Sequence, residues 1–162
     1  MTALLLSLHV LAAILTVGPV AITASMFPRI ARRALAAPDD AGATAAARIL
    51  HRITRVYAVI GVAVPVLGYA TGASLGVLSD AWLVTSMVLT AGAAAVLILL
   101  VLPGQRRVVD ALDAPRPAGP GDPAAPDATR RLAMHAGVFN LLWAVVVVLM
   151  VYRPGSTTGA GL

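Results

Sequence analysis

Three histidines and one asparagine are the side chains of this sequence whose types and positions could carry chemistry. His9 stands at the front of "HVLAAILTVGPVAITASMF", a stretch that is otherwise largely apolar. A histidine there can hydrogen-bond a neighbouring helix, ligate a haem or metal ion, or handle a proton, and the sequence leaves all three roles open. His51 and His135 lie beside later apolar stretches, and Asn140 lies within the last of them, where an amide is expected to bond a second helix.

Other kinds of site have little support in the sequence. No serine, histidine and aspartate share a depth suited to nucleophilic catalysis, and no carboxylate lies inside an apolar stretch to relay a proton. A metal site needs three or four ligands at fixed spacing, and the sequence contains no HxxxH pair or Met/His cluster. Cysteine is absent, which excludes disulfides, thiolate metal sites and covalent c-type haem. We therefore predict no catalytic residue and no metal site.

The composition indicates that much of the surface faces lipid. The 162 residues are 59% apolar and only 12% charged, against about 25% charged residues in a soluble domain. The mean hydropathy is +0.90. The net charge of +5 comes from twelve arginines and seven aspartates. Because the arginines flank apolar segments and are not interleaved with aromatic residues, membrane topology accounts for them and no nucleic-acid partner is predicted.

Four stretches are long enough to cross a hydrocarbon core about 30 Å thick as helices. Only Ser79 and Asp80 separate the second stretch from the third, which predicts a tight hairpin between them. No positive residue precedes the first apolar run, so it is predicted to be a retained helix rather than a secretory signal. The predicted fold is an all-α integral membrane four-helix bundle, a single domain over residues 1–162 that is embedded in the lipid bilayer. The spans cover about residues 3–27, 56–78, 81–102 and 132–152.

The placement of arginine predicts the orientation. Six arginines lie in segment 28–55 and five in segment 103–131, whereas Arg153 is alone after the last span. The usual excess of positive residues on the cytoplasmic side places both segments in the cytoplasm as loops, and both termini outside. Residues 113–126 are predicted to be a disordered Pro/Gly-rich tether, and residues 153–162 an external tail.

The first cytoplasmic loop contains a helix signal. Pro38, Asp39 and Asp40 favour a helix start in which a carboxylate caps the first amides. The apolar residues and arginines that follow fall on different sides of such a helix. This pattern suits either an amphipathic lead-in to the second span or a solvated, frayed extension of it. Asp127 is expected to cap the last helix in the same way.

Depth in the membrane limits how the histidines can combine. Counted from the cytoplasmic boundary, His9 and His135 differ by roughly 20 Å along the membrane normal, so they are not expected to ligate one haem iron. His51 and His135 are closer in depth and remain open as an interfacial pair or as two separate headgroup-level histidines. His9, Thr16 and Thr23 share one small and polar face of the first helix, which predicts that His9 points into the bundle.

Glycines and prolines predict how the helices pack. Gly68, Gly72 and Gly76 repeat every four residues, and this overlapping GxxxG ridge favours a helix–helix interface within the bundle or between copies. The run of small residues 92–95 in the third span is a smooth surface that could receive it. Pro19 and Pro65 lie within their spans and are expected to kink them, each freeing the carbonyl four residues back.

The opening "LHVLAAIL", continued as "TVGPVAITASMFPRIARR", resembles the first helix of a broad group of bacterial membrane proteins. The group includes copper-resistance D-type domains, HemJ-type protoporphyrinogen oxidases and a family of small predicted integral membrane proteins without an assigned function. Leu8 and His9 match the Leu-His pair of the group and Gly18 fits a small position, whereas Thr16 stands near the usual place of a tryptophan. The chain is most similar to the family without an assigned function. The resemblance implies the bacterial inner membrane.

By analogy with the HemJ-type relatives, the resemblance also implies that His9 is the position where a haem b ligand could lie. The lysine and other motifs of those relatives find no match here, and the Met/His wealth of a copper handler is missing. Oxidase activity and copper handling are therefore not predicted.

These observations lead to one main functional hypothesis and two alternatives. The main hypothesis is a small non-catalytic membrane protein, a scaffold or accessory subunit that packs through the Gly68–Gly76 ridge with itself or with a larger membrane complex. The first alternative is a haem b-binding or redox-associated membrane protein that uses His9. The second alternative is a small transporter. It is less favoured because no span carries a charge or a clearly unwound segment.

Overall fold

The computed structural model describes residues 1–37, 39–114 and 125–155. Within these ranges the chain is helical between short turns and contains no β-strand. Most of the predicted tether 113–126 and of the predicted tail 153–162 lies outside the described residues. The helices are α1 Thr2–Ala36, α2 Ala41–Ile60, α3 Ala63–Leu75, α4 Ala81–Val96, α5 Leu102–Asp113 and α6 Ala125–Tyr152, and a π-helical turn, Leu97–Val101, joins α4 to α5.

Four helical stretches are long and apolar enough to cross a membrane, which confirms the all-α four-helix architecture predicted from the sequence. The first and last stretches lie in α1 and α6. The second consists of α2 and α3, and the third of α4, the π-helical turn and α5. The 35 residues of α1 extend over about 50 Å, compared with about 30 Å for a hydrocarbon core. The helices therefore continue past the apolar spans.

Segments 28–55 and 103–131, expected as loops, are largely helical in the described residues. α1 continues to Ala36, α2 already begins at Ala41, and α5 follows the third span directly. The reason is an apolar core next to the spans, which hydropathy alone does not reveal and which stabilises these helices by burial. The start of α2, which leads into the second span, is therefore packed against this core rather than frayed. The buried residues of this core are Phe27, Ala31, Ala47, Val108 and Leu132.

Asp40 joins the end of α1 to the start of α2. Its carboxylate accepts a hydrogen bond from the Ala43 backbone N–H at 2.9 Å and another from Arg33 Nε at 2.8 Å. These bonds, that from Ala43 first, hold the pKa of the Asp40 carboxyl below its ordinary value. The cap is therefore present at neutral pH and is lost as the pH falls through that lowered value. Asp127, expected as a cap, lies instead in the first turn of α6, which begins at Ala125.

The apolar core around Phe27 marks one end of the bundle, here called the arginine-rich end because Arg29, Arg48, Arg107 and Arg131 surround it. A second cluster, around Phe139, joins α1, α4, the π-helical turn and α6 in the middle of the bundle. A third cluster forms the opposite end.

Trp82 is the largest residue of the third cluster. Its Nε1 donates to Asp80 Oδ2 at 3.0 Å, and the guanidinium of Arg153 lies 5.4 Å from the centre of its rings. Arg153, the one arginine after the last span, is thus fixed to the end of the bundle opposite the other described arginines.

α1 is the helix around which the bundle is built, because it packs against α2, α3 and α6. The second and third spans are joined by a tight turn over residues 76–80. Their helices α3 and α4 nevertheless share few contacts with each other, because α3 packs mainly on α1 and α4 mainly on α6. The predicted hairpin is thus a tight turn between two helices that have different partners.

The second span is interrupted at Gly61 and Val62, which form a turn between α2 and α3. Pro65 has no N–H to bond the Gly61 carbonyl, and this oxygen instead accepts from the Val64 N–H at 3.0 Å. Gly61 and Val62 keep right-handed helical dihedral angles, so the helix is interrupted for about one turn without a clearly unwound segment. α1 is helical through Pro19 and Pro28, and the kink expected at Pro19 stays a prediction.

Candidate functional site

His9 fastens α1 to α3. Its Nδ1 lies 3.0 Å from the carbonyl oxygen of Val64. A carbonyl can only accept, so Nδ1 carries a proton and donates it. The side chain is half-buried and faces α3. Of the three roles open to a histidine here, the structure contains the hydrogen bond to a neighbouring helix.

Gly68 is the residue that lets the imidazole ring approach α3. A Cβ at position 68 would lie 2.9 Å from His9 Cε1 and 3.4 Å from Nδ1. The Val64 carbonyl lies one helical turn before Gly68, so any side chain there would push the ring away from its acceptor. His9 and Gly68 therefore form a matched contact, which we call the His9–Gly68 contact.

The other two glycines of the predicted ridge have different roles. A Cβ at Gly72 would lie 2.7 Å from Leu83 Cδ2, so Gly72 allows the start of α4 to approach α3. Gly76 ends α3 with a φ of +70°, a left-handed conformation that glycine adopts without strain. The expected partner run 92–95 does not receive the ridge, and a Cβ at Gly92 would meet nothing within 4 Å. All three glycines thus serve contacts or turns within the chain.

A buried polar network at the arginine-rich end joins three helices. The side chains of Gln105 on α5 and Thr54 on α2 are fully buried. Gln105 Oε1 accepts from His51 Nδ1 at 3.2 Å, and Gln105 Nε2 donates to Thr54 Oγ1 at 3.5 Å. The hydroxyl oxygens of Thr54 and Thr23, on α1, lie 2.9 Å apart. Two of the bonds therefore fasten α5 to α2 and the third fastens α2 to α1.

Sequence reasoning missed Thr54 and Gln105, because segment 103–131 was expected as a loop. One signal was available. Gln105 is the only glutamine in the chain and follows the third span directly. A neutral amide between an apolar run and two arginines is suited to a helix end that is buried on one side.

Asn140 joins α6 to α1. Its Nδ2 donates to Ser25 Oγ at 2.8 Å, which is the interhelical hydrogen bond expected of an amide within a span. The Asn140 Oδ1 atom is buried and has no hydrogen-bond partner among the described residues. Ser25 is exposed on the outside of the bundle. The pair therefore lies at the edge between the α1–α6 contact and the lipid-facing surface.

A pocket of about 110 Å³, partly open to the surface of the bundle, lies where the interrupted second span faces the π-helical turn. Gly61 and Pro65 line it on one side and Leu97 on another. Its wall is largely apolar, with hydroxyl groups only from Thr16, Tyr57 and Thr90 among its lining residues. An apolar cavity of about 150 Å³ holds benzene. This one therefore admits only a very small apolar molecule.

Nothing in the described surroundings of His9 supports a haem b group. The imidazole ring lies against Gly68 with Nδ1 bonded to the Val64 carbonyl, and the apolar pocket near the π-helical turn is not lined by His9. The three histidines are also separated, since His51 bonds Gln105 and His135 lines a groove between α5 and α6. His51 and His135 therefore have different neighbours, and no hydrogen bond joins them in the described part of the chain. Across residues 1–37, 39–114 and 125–155, no three His, Cys, Asp or Glu side chains are grouped to hold a metal ion.

The comparison with known proteins agrees with this membrane architecture. Residues 3–154 match the family described as "Predicted integral membrane protein (DUF2269)". No curated protein and no solved structure matches the chain. The match extends from the first turns of α1 to the end of α6, so it includes every helix described above.

Proposed function

Because the chain belongs to the predicted integral membrane protein family DUF2269, we propose that it is a non-catalytic scaffold or accessory subunit that associates with a second copy of itself in the bilayer. The polar side chains within and beside its spans support this proposal, because they join helices. His9 joins α1 to α3, Asn140 joins α6 to α1, and Gln105 joins α5 to α2.

The single observation that carries the proposal is the polar character of one outward-facing surface of α1 and α6. We call it the Ser25–Asn140 face and define it by Gly18, Ser25, Gly137 and Asn140. Gly18 and Gly137 are exposed, and a Cβ at either would meet nothing within 4 Å. Small residues let a second helix approach closely, and a polar pair that faces lipid is unfavourable unless it is covered. A second copy of the same face would cover it.

The Gly68–Gly76 ridge is not the proposed surface. Gly68 already contacts His9 and Gly72 already contacts Leu83, so a partner helix would have to displace side chains of the chain itself. We still propose association through helix packing, but place the interface on the Ser25–Asn140 face instead of α3. A larger membrane complex is the other assembly that this face would serve.

The proposed membrane placement follows the arginines. Ten of the eleven arginines in the described residues lie at the arginine-rich end, and Arg153 lies at the opposite end. The positive-inside rule favours the arginine-rich end in the cytoplasm. Both termini would then face outward from a bacterial inner membrane.

Gly137→Leu is expected to weaken dimerisation roughly tenfold, the effect of losing about 1.4 kcal/mol of association free energy. The leucine side chain would fill the open space on the Ser25–Asn140 face and hold the second copy away. Counting subunits by single-molecule photobleaching at several protein-to-lipid ratios measures this. Gly92→Leu is the matched control, because Gly92 also has open space but lies on α4.

A wild-type protein that stays monomeric at every protein-to-lipid ratio would contradict association with a second copy. Equal weakening by Gly92→Leu and Gly137→Leu would contradict the choice of surface. If the purified wild type contains one copy of the chain bound to a different membrane protein in fixed ratio, that protein, and not a second copy, is the partner.

A small transporter is the second candidate function, and the interruption of the second span supports it. Broken helices in transporters line binding sites near the middle of the membrane, and Gly61 and Pro65 line the pocket here. The pocket is nevertheless apolar and, at about 110 Å³, smaller than a cavity that holds benzene, which leaves few solutes to carry. The scaffold role is therefore placed first.

A further inference from the structure

A groove of about 600 Å³ lies at the arginine-rich end, between the π-helical turn, α5 and α6. Leu99 and Leu100 line the part that lies toward the middle of the bundle. Arg107, Arg131 and His135 line the part toward the arginine-rich end. The groove is therefore amphiphilic along its length, apolar at one end and basic at the other.

The two arginines of this groove have no partner within the described part of the chain. Arg33, Arg48 and Arg106 form ion pairs with aspartates, whereas Arg107 and Arg131 form none with a described carboxylate. Asp127 also lines the groove, so its two guanidinium groups face one carboxylate. The charges of Arg107, Arg131 and Asp127 sum to plus one.

This arrangement matches the chemistry of a phospholipid with an anionic headgroup. A guanidinium group binds a phosphate through paired, charge-assisted hydrogen bonds. Leu99 is 68% exposed. At the level of the acyl chains it therefore offers apolar surface to a hydrocarbon tail. Basic pockets between membrane helices at headgroup level are known to hold acidic lipids.

We propose that this groove is a binding site for one anionic phospholipid, whose phosphate lies between Arg107 and Arg131 and whose acyl chain lies along Leu99 and Leu100. The site is separate from the Ser25–Asn140 face and does not need a second copy of the chain. The protein can therefore prove monomeric and still bind the lipid, or form the dimer and fail to bind the lipid.

The test measures lipid binding by native mass spectrometry of the full-length protein, with phosphatidylglycerol, phosphatidylcholine or inorganic phosphate added to detergent micelles. The double variant Arg107→Gln/Arg131→Gln removes both guanidinium groups from the groove. Arg29→Gln/Arg32→Gln is the matched control, because these arginines are also exposed, do not line the groove and give the same change in charge.

We expect phosphatidylglycerol to bind the wild type in preference to phosphatidylcholine. The groove variant should weaken this binding by about tenfold or more, as the loss of a charge-assisted hydrogen bond predicts, and the control by about twofold or less. Both pairs of arginines are exposed, so the helical circular dichroism should be unchanged. Arg107→Lys/Arg131→Lys keeps the charge and should restore part of the binding.

Three results would overturn the proposal. Equal losses in the two double variants would mean that phosphatidylglycerol responds only to the overall charge. Binding of phosphatidylcholine as strong as that of phosphatidylglycerol would mean that the groove recognises only the acyl chain. Displacement of phosphatidylglycerol by millimolar inorganic phosphate would assign the site to a free anion.

Discussion

Gly68→Leu is expected to lower the free energy of unfolding by about 1–3 kcal/mol, the usual range for forcing extra volume into a packed contact. A leucine at position 68 must displace the His9 ring, because even its Cβ would lie 2.9 Å from Cε1. The ring then loses its bond to the Val64 carbonyl, which joins α3 to α1. Unfolding by SDS titration in mixed micelles, followed by circular dichroism, measures the loss.

The His9→Ala background separates this contact from a general effect of leucine. With the imidazole removed, Gly68→Leu has room, so its cost should fall by about 1 kcal/mol or more, as coupled neighbours show in a double-mutant cycle. Gly92→Leu, where a Cβ meets nothing, should change the free energy of unfolding little. Additive losses in the double variant would mean that His9 and Gly68 do not act together.

Gln105→Ala is expected to lower the free energy of unfolding by about 2–4 kcal/mol. The substitution opens a cavity at a fully buried position and leaves polar groups without partners, and each effect has a known cost of this order. His51 Nδ1 loses its acceptor and Thr54 loses a donor. The same SDS titration measures this loss.

Gln105→Met keeps the volume of the side chain and removes only its hydrogen bonds, so it should cost about 1 kcal/mol and show how much of the loss is polar. Arg106→Ala is the neighbouring control. Arg106 is exposed and its nearest carboxylate oxygen, on Asp110, is 3.8 Å away, so little change is expected. A Gln105→Ala variant as stable as Arg106→Ala would contradict a structural role for the network.

The four spans could be predicted from the sequence because apolar runs of sufficient length have one stable form in lipid. The inward direction of His9 was also predictable, since it shares a helix face with Thr16 and Thr23. Neither argument specifies which atom accepts the imidazole proton. That choice depends on the approach of α3 to α1, which Gly68 permits.

The glycine ridge shows why a motif does not identify its partner. Spacing alone places Gly68, Gly72 and Gly76 on one face, but the left-handed φ of Gly76 and the contact of Gly72 with Leu83 depend on how the chain turns into α4. The helical continuation through segments 28–55 and 103–131 was missed for a similar reason. The apolar residues of the core that stabilises these segments come from four separate helices and meet only after folding.

The account as a whole depends on four membrane crossings with the arginine-rich end in the cytoplasm. The Ser25–Asn140 face must then face acyl chains, and the groove of Arg107 and Arg131 must lie at the inner headgroups. The chain contains no cysteine, so a single introduced thiol reports its own position. The most direct measurement is labelling of such variants by a membrane-impermeant maleimide, in intact bacterial spheroplasts and after lysis.

Thr2→Cys and Gly155→Cys should react in intact spheroplasts, because both ends of the chain are predicted to face outward. Ala37→Cys and Ala114→Cys, which are exposed beside the arginine-rich end, should react only after lysis. Labelling of Ala37→Cys or Ala114→Cys in intact spheroplasts, with Thr2→Cys and Gly155→Cys protected, would contradict the proposed orientation.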